Sequence, residues 1–213
     1  MADIDLAKIR REYLQAELDE EKAPSDPYIL LRQWLEEAIT ARLLEPTAFV
    51  LATADTTGQP HARVILLKGL EPPYLYFYSN YESAKAQEIA ANSRVAATFW
   101  WDALERQVRI EGRVEKAPTS ISDAYFAGRP YGSQIAAWAS PQSQPVTIGE
   151  LRARWATYAQ QFPEGSVPRP PFWGGYRIIA HRMEFWQGRP DRLHDRILYI
   201  REGNQWKKTR LAP

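Results

Sequence analysis

Residues 175–210, GYRIIAHRMEFWQGRPDRLHDRILYIREGNQWKKTR, carry the reading that decides the fold. Runs at 175–179, 183–187, 193–201 and 206–210 are dense in apolar and aromatic residues and are joined by short connections, which predicts an antiparallel set of strands. Working back toward the N-terminus, similar runs occur at 49–54, 61–68, 74–78, 95–101 and 107–116. Asp55-Thr56-Thr57-Gly58 makes the first two a hairpin. In 107–116, Val108, Ile110, Gly112 and Val114 alternate with Gln107, Arg109, Glu111 and Arg113, the period of a strand with one buried face. Between the strands the period changes. Asp26-Pro27 is a helix start, and Leu30, Leu31, Trp34, Leu35, Ala38 and Ile39 form its apolar stripe, with a stop near Pro46. Further helices are predicted over 82–91 and within 120–161, the latter broken by Gly128, Pro130 and Gly132 and carrying a capping box at Thr147 and Glu150. Leu6, Ile9, Tyr13 and Leu14 suggest a short amphipathic helix at the start. Strands at both ends with helices between them predict a mainly β, α+β protein, a closed or nearly closed antiparallel barrel with flanking helices. The expected organisation is an arm over 1–25 and a single domain over 26–213.

Composition narrows the function. With 27 basic and 26 acidic residues among 213, the net charge of +1 leaves no broad footprint for nucleic acid or an anionic membrane, so any anion is held locally. The chain has no cysteine, which removes disulfides and thiolate chemistry, and His61, His181 and His194 lack metal-ligand spacing. An acidic start without an apolar signal region, and no run of about 18 apolar residues, lead to the expectation of a soluble cytoplasmic protein. Eight Trp and eleven Tyr are a surplus that suits either ordinary packing or a pocket for planar ligands.

Four segments concentrate chemistry. Arg192-Leu193-His194-Asp195-Arg196 crowds two arginines, a histidine and an aspartate beside Trp186, a density of charge expected to find its partners in a flat anionic ligand. The run Arg63-Val64-Ile65-Leu66-Leu67-Lys68 begins and ends with a cation, and the two are expected on opposite faces, suited to two different anionic groups; a buried strand with solvated ends has the same pattern. Tyr125, Arg129 and Ser133 stand four residues apart across the end of one helix and the start of another, a cup for phosphate or a plain helical corner. Tyr78-Ser79-Asn80 and Lys85 place hydroxyls and an ammonium at a strand-to-helix junction, while Gln107, Gln142 and Ser143 are groups of the kind that read the edge of a heteroaromatic ring.

Taken in order, these segments resemble the pyridoxamine 5'-phosphate oxidase family over nearly the whole chain. The resemblance runs from Arg10-Arg11-Glu12-Tyr13 through Glu45-Pro46-Thr47-Ala48, residues 63–68, Phe77-Tyr78-Ser79-Asn80, Leu104-Glu105-Arg106-Gln107-Val108, Ser133-Gln134-Ile135, Phe172-Trp173-Gly174-Gly175, Phe185-Trp186-Gln187-Gly188 and residues 192–196 to the Arg210-Leu211-Ala212-Pro213 terminus. It implies a homodimer of split β-barrels with FMN at the subunit interface. It also implies FMN-dependent oxidation of pyridoxamine and pyridoxine 5'-phosphates to pyridoxal 5'-phosphate, with O2 as acceptor and H2O2 as product. By matching positions, Arg63, Val64, Ile65, Leu66, Leu67, Lys68, Tyr78, Ser79, Lys85, Gln107, Gln142, Ser143, Trp186 and Arg196 are implied to hold FMN. Lys68, Tyr125, Arg129 and Ser133 are implied to take the substrate phosphate, Arg192 and His194 to lie over the pyridine ring, and Arg10 and Tyr13 to belong to a closing arm. Two positions depart from the family: Ala84 stands where an arginine commonly precedes the flavin-phosphate lysine, and Glu45 replaces an aspartate. A split-barrel flavin oxidoreductase with another substrate, and a non-catalytic carrier of FMN or pyridoxal phosphate, stay open as alternatives.

Overall fold

A computed structural model describes residues 12–13 and 17–213. The chain divides into two compact units. One comprises the described residues up to Pro46 with Thr98–Ile110 and His181–Pro213; the other comprises Thr47–Ala97 and Glu111–Ala180. In sequence order the strands are β1 (Ala48–Ala54), β2 (Pro60–Leu66), β3 (Gly69–Glu71), β4 (Tyr74–Asn80), β5 (Arg94–Trp101), β6 (Arg106–Lys116), β7 (Trp173–Gln187), β8 (Asp195–Glu202) and β9 (Gln205–Arg210). The hydrogen-bonded order is β2-β1-β5-β6-β7-β4-β3, with β8 joined to β7 and β9 to β8. The helices are α1 (Pro27–Thr40), α2 (Ala84–Ala91), α3 (Thr119–Ala127), α4 (Tyr131–Ala139) and α5 (Ile148–Gln161).

In the first unit α1 buries Leu30, Leu31, Trp34, Leu35 and Ala38, the stripe read from the sequence. Its start is set by the Asp26 carboxylate, which accepts from the Tyr28 N–H at 2.9 Å. Trp34 meets Phe185 edge-on at 5.2 Å, and the fully buried Trp101, Phe99 and Tyr199 complete this core. The helix stops at Thr40, well before Pro46, because Arg42 turns into the left-handed region at φ 55° and the Leu43 N–H reaches back to the Ala38 carbonyl at 3.2 Å. Residues 18–24, assigned from sequence to the arm, are tied down. The Leu18 N–H donates to Asp195, Lys208 donates to the carbonyls of Glu20 and Ala23, and the Tyr199 hydroxyl donates to that of Pro24. Of the expected helix over 6–14 only residues 12–13 are described, without helical structure; the rest, with Arg10, lies outside the described residues.

In the second unit Phe49, Leu51, Leu75, Phe77, Tyr176 and Ile178 are buried, and the β1–β2 hairpin pairs in register from Ala48 with Leu66 to Ala54 with Pro60. The run expected as a strand to Lys68 ends at Leu66: the Leu67 N–H still bonds Thr47, but the Lys68 N–H turns to the Tyr76 carbonyl at 2.8 Å, opening the short β3 that sequence reading missed. The capping box at Thr147 and Glu150 is present, and it starts α5.

The two runs at 175–179 and 183–187 prove to be one strand of 15 residues. Its residues 173–179 pair with β4 and its residues 182–187 with β8. The change of partner leaves His181 exposed in the middle, which breaks the apolar run without breaking the strand. Gly112 of β6 faces this strand closely: a Cβ there would lie 2.5 Å from the Ile179 carbonyl oxygen and 3.0 Å from the Ile178 side chain. Replacing Gly112 with alanine is expected to cost about 1–3 kcal/mol through backbone displacement. Urea unfolding should show it as a lower midpoint at unchanged slope.

Candidate functional site

Strand β4, the end of α3 and the start of β7 place three rings in a ladder. Tyr78 stacks on Tyr125 at 3.6 Å and 7°, and Trp173 lies 5.7 Å from Tyr78 at 11°. These rings wall a cavity of about 400 Å³ in the second unit, within the range of small-ligand sites. Of the residues singled out from sequence, Ile65, Leu66, Lys68, Tyr78, Ser79, Tyr125, Arg129 and Gln142 line it; Asn80, Ala136, Ala137, Ser140 and Trp173 line it as well. Trp173 was quoted only as part of a motif, and its place opposite Arg129 had no local signal, because residue separation of this size is closed only by the sheet. Ser133 stands in the first turn of α4, half-buried and off the cavity wall.

Arg129 follows the C-terminal end of α3 and spreads its guanidinium over the Trp173 ring at 4.5 Å. Among the described residues its Nη1 is the buried side-chain polar atom with no hydrogen-bond partner. Burial lowers the Arg129 pKa, against the opposing influence of the Tyr125 phenol, but a guanidinium keeps its charge. The Tyr78 hydroxyl is pushed up to about 12, chiefly by burial, so it stays a neutral donor. A buried donor on a cation without an acceptor is costly, and an anion entering the cavity would relieve it.

A second cationic centre lies at the start of α2. Lys85 is 8% exposed, and its ammonium donates to the hydroxyls of Ser79 at 3.0 Å and Ser83 at 3.3 Å. Burial, and then the nearby Arg63, lower its pKa, while Glu88 raises it. Arg63 is ion-paired with Glu88 at 2.9 Å and also donates to Thr53. At Ala84 the N–H donates to the Ser143 hydroxyl at 3.2 Å, and Gln142 accepts from the Asn80 N–H at 3.4 Å. Sequence reading missed Glu88 because a glutamate in an amphipathic helix looks like its wet face. Val64 is exposed on edge strand β2, Leu67 is buried, and Glu45 is exposed.

The remaining residues gather in the first unit. Trp186 and Arg196 are cross-strand partners on β7 and β8, and His194 lies 4.7 Å from the Trp186 ring. Tyr13 meets Trp186 edge-on at 5.6 Å and His194 at 5.5 Å. Gln107 sits half-buried on β6. The expectation that the charges at 192–196 need a ligand is corrected in part. Asp195 accepts from Arg210 at 2.7 Å and from the Leu18 N–H, and Arg196 is held by the buried Glu184 at 2.8 Å. Arg192 alone of the four is exposed. Asp191 and Arg192 both have left-handed backbone, φ 54° and 60°, at a cost of roughly 1–3 kcal/mol each. His194 accepts from the Arg189 N–H at its Nδ1, 3.1 Å away, so the ring proton belongs on Nε2. Burial, followed by the Arg192 charge, lowers the His194 pKa below its ordinary 6.5, with Asp195 opposing.

Comparison with known proteins agrees over the full length. Residues 35–160 match the family described as pyridoxamine 5'-phosphate oxidase, and residues 173–213 match the pyridoxine 5'-phosphate oxidase C-terminal dimerisation region. The chain is 53% identical over 210 residues to a pyridoxine/pyridoxamine 5'-phosphate oxidase of Rubrobacter xylanophilus, covering 98% of this chain and 97% of that one. It is 48% identical over 214 residues to that of Synechocystis, covering both completely. Among solved structures, PhzG from Burkholderia lata in complex with tetrahydrophenazine-1-carboxylic acid superposes with a TM-score of 0.89 at 33% identity, over 95% of this chain and 100% of that one. A pyridoxamine 5'-phosphate oxidase-related, FMN binding protein from Nostoc punctiforme shares the fold, with a TM-score of 0.71 at 16% identity over 90% of this chain and 100% of that one. With its antiparallel α+β split-barrel fold and its dimerisation region, the chain belongs to the pyridoxamine 5'-phosphate oxidase family.

Proposed function

We propose that this chain oxidises pyridoxamine 5'-phosphate and pyridoxine 5'-phosphate to pyridoxal 5'-phosphate with FMN as cofactor, O2 as acceptor and H2O2 as product, acting as a homodimer with FMN at the subunit interface. The observation that carries the substrate class is the unpartnered, buried Nη1 of Arg129 in a cavity that Lys68 and Tyr125 also line. A phosphate ester supplies the acceptor that the Arg129 Nη1 donor lacks. The ligand of PhzG bears a carboxylate instead, and a carboxylated tricycle leaves the second phosphate seat without a purpose.

Two such seats support a phosphorylated substrate beside a phosphorylated cofactor. Lys68, Tyr125, Arg129 and Ser133 are assigned to the substrate ester. Lys85, Ser79, Ser143 and Arg63 are assigned to the FMN phosphate, for which a buried ammonium with only hydroxyl acceptors is a fitting seat. Val64, Ile65, Leu66, Leu67, Tyr78, Gln107, Gln142, Trp186 and Arg196 are assigned to the rest of the cofactor. FMN, when bound, supplies the hydride acceptor and passes the electrons to O2. Arg192 orients the substrate ring and favours the charge that develops on it. His194 donates from Nε2 to a ring substituent, and Tyr13, with Arg10, closes over the ring.

The reading as a whole is tested by adding pyridoxamine 5'-phosphate anaerobically: the flavin band should bleach, and air should restore it with release of peroxide. Replacing Arg129 with leucine should raise KM for phosphorylated substrates by about 10–100-fold, the worth of a charged hydrogen-bonding pair, while unphosphorylated pyridoxamine is turned over as poorly as before. Replacing Arg192 with alanine should lower kcat by roughly 100-fold and leave yellow, FMN-loaded protein; undiminished turnover would remove that role. Burial, and then the Arg192 charge, hold the His194 pKa below its ordinary 6.5, and protonation would also cost Nδ1 its bond from the Arg189 N–H. Proton NMR should place its titration under that value and move it upward in the Arg192→Ala protein, where the repelling charge is gone.

A further inference from the structure

Glu88 lies one helical turn after Lys85 on α2, and its carboxylate is 10% exposed. It accepts from Arg63 Nη2 at 2.9 Å and from the Thr53 hydroxyl, while Arg63 Nη1 donates to the same hydroxyl. Burial works against its charge, but the Thr53 hydroxyl and Arg63 outweigh that and hold its carboxyl below the usual range, so it is an anion at neutral pH. The cluster thus contains two cations, Arg63 and Lys85, and one largely buried anion, Glu88. We propose that Glu88 is an internal counter-anion that occupies Arg63 before FMN binds and competes with the cofactor phosphate once it arrives, so that this residue sets the affinity for FMN. The inference rests on the FMN reading above. A phosphate that approaches Arg63 must share the guanidinium with a carboxylate fixed beside it, and two anions held on one cation repel each other. Ala84 sharpens the effect, because no further cation stands next to Lys85 to offset it.

Glutamine at position 88 keeps an acceptor for Arg63 and removes only the charge. Apoprotein of the wild type and of Glu88→Gln is titrated with FMN and with riboflavin, following flavin fluorescence, with thermal unfolding as the check on the fold. Glu88→Gln should bind FMN on the order of tenfold more tightly and riboflavin as before, since only the phosphate feels the carboxylate. Glu88→Ala should show the same selective gain. An equal change for both flavins, no change, or weaker FMN binding in both variants overturns the proposal. So does failure of both variants to fold, which would assign Glu88 to the fold alone. Wild-type apoprotein that holds riboflavin as tightly as FMN would instead overturn the FMN reading itself.

Discussion

The 15 residues of β7 are the constraint on which everything else hangs. One uninterrupted strand pairs first with β4 and then with β8, and each partner holds candidate site residues. Through the first pairing, Trp173 and the neighbouring β4 residues Tyr78 and Ser79 come to one cavity wall. Through the second, Trp186 is fixed beside Arg196. Small residues make this possible: Gly112 on β6 lets backbones approach to a distance that no side chain would allow.

Charge is handled in two ways. Asp195, Arg196 and Glu184 are satisfied by one another and by Arg210, so they brace the C-terminal strands and the Leu211 N–H that bonds Arg196. Such pairs are satisfied before any ligand binds. Arg129 and Lys85 differ, because among the described residues one has a buried donor with no acceptor and the other is held by hydroxyls. Buried cations left with neutral or missing partners are unfavourable for the fold and favourable for an anion, which is why these positions point to an anion more directly than the richer cluster at 192–196.

The aromatic surplus also divides. Trp34, Trp101, Phe99 and Phe185 are core in the first unit, Trp34 meeting Trp101 and Phe185 edge-on and Phe99 stacking on Trp101. Tyr78, Tyr125 and Trp173 are stacked nearly parallel and remain partly open to a cavity, where flat faces can meet a flat ligand.

Local chemistry made much of this legible in the sequence by itself: the caps at Asp26 and Thr147, the β1–β2 hairpin, the alternation along β6, and the ordered motifs that mark the family. These depend on neighbours a few residues apart, which a linear reading contains. Tertiary structure alone decided that 175–179 and 183–187 are one strand, that Lys68 leaves β2 for the Tyr76 carbonyl, that Arg196 belongs to Glu184, and that Glu88 holds Arg63. Each of these is a pairing between groups distant in sequence or a change of strand partner. A hydrogen bond or an ion pair of that kind leaves no periodic trace, because its second member is chosen by how the sheet is assembled.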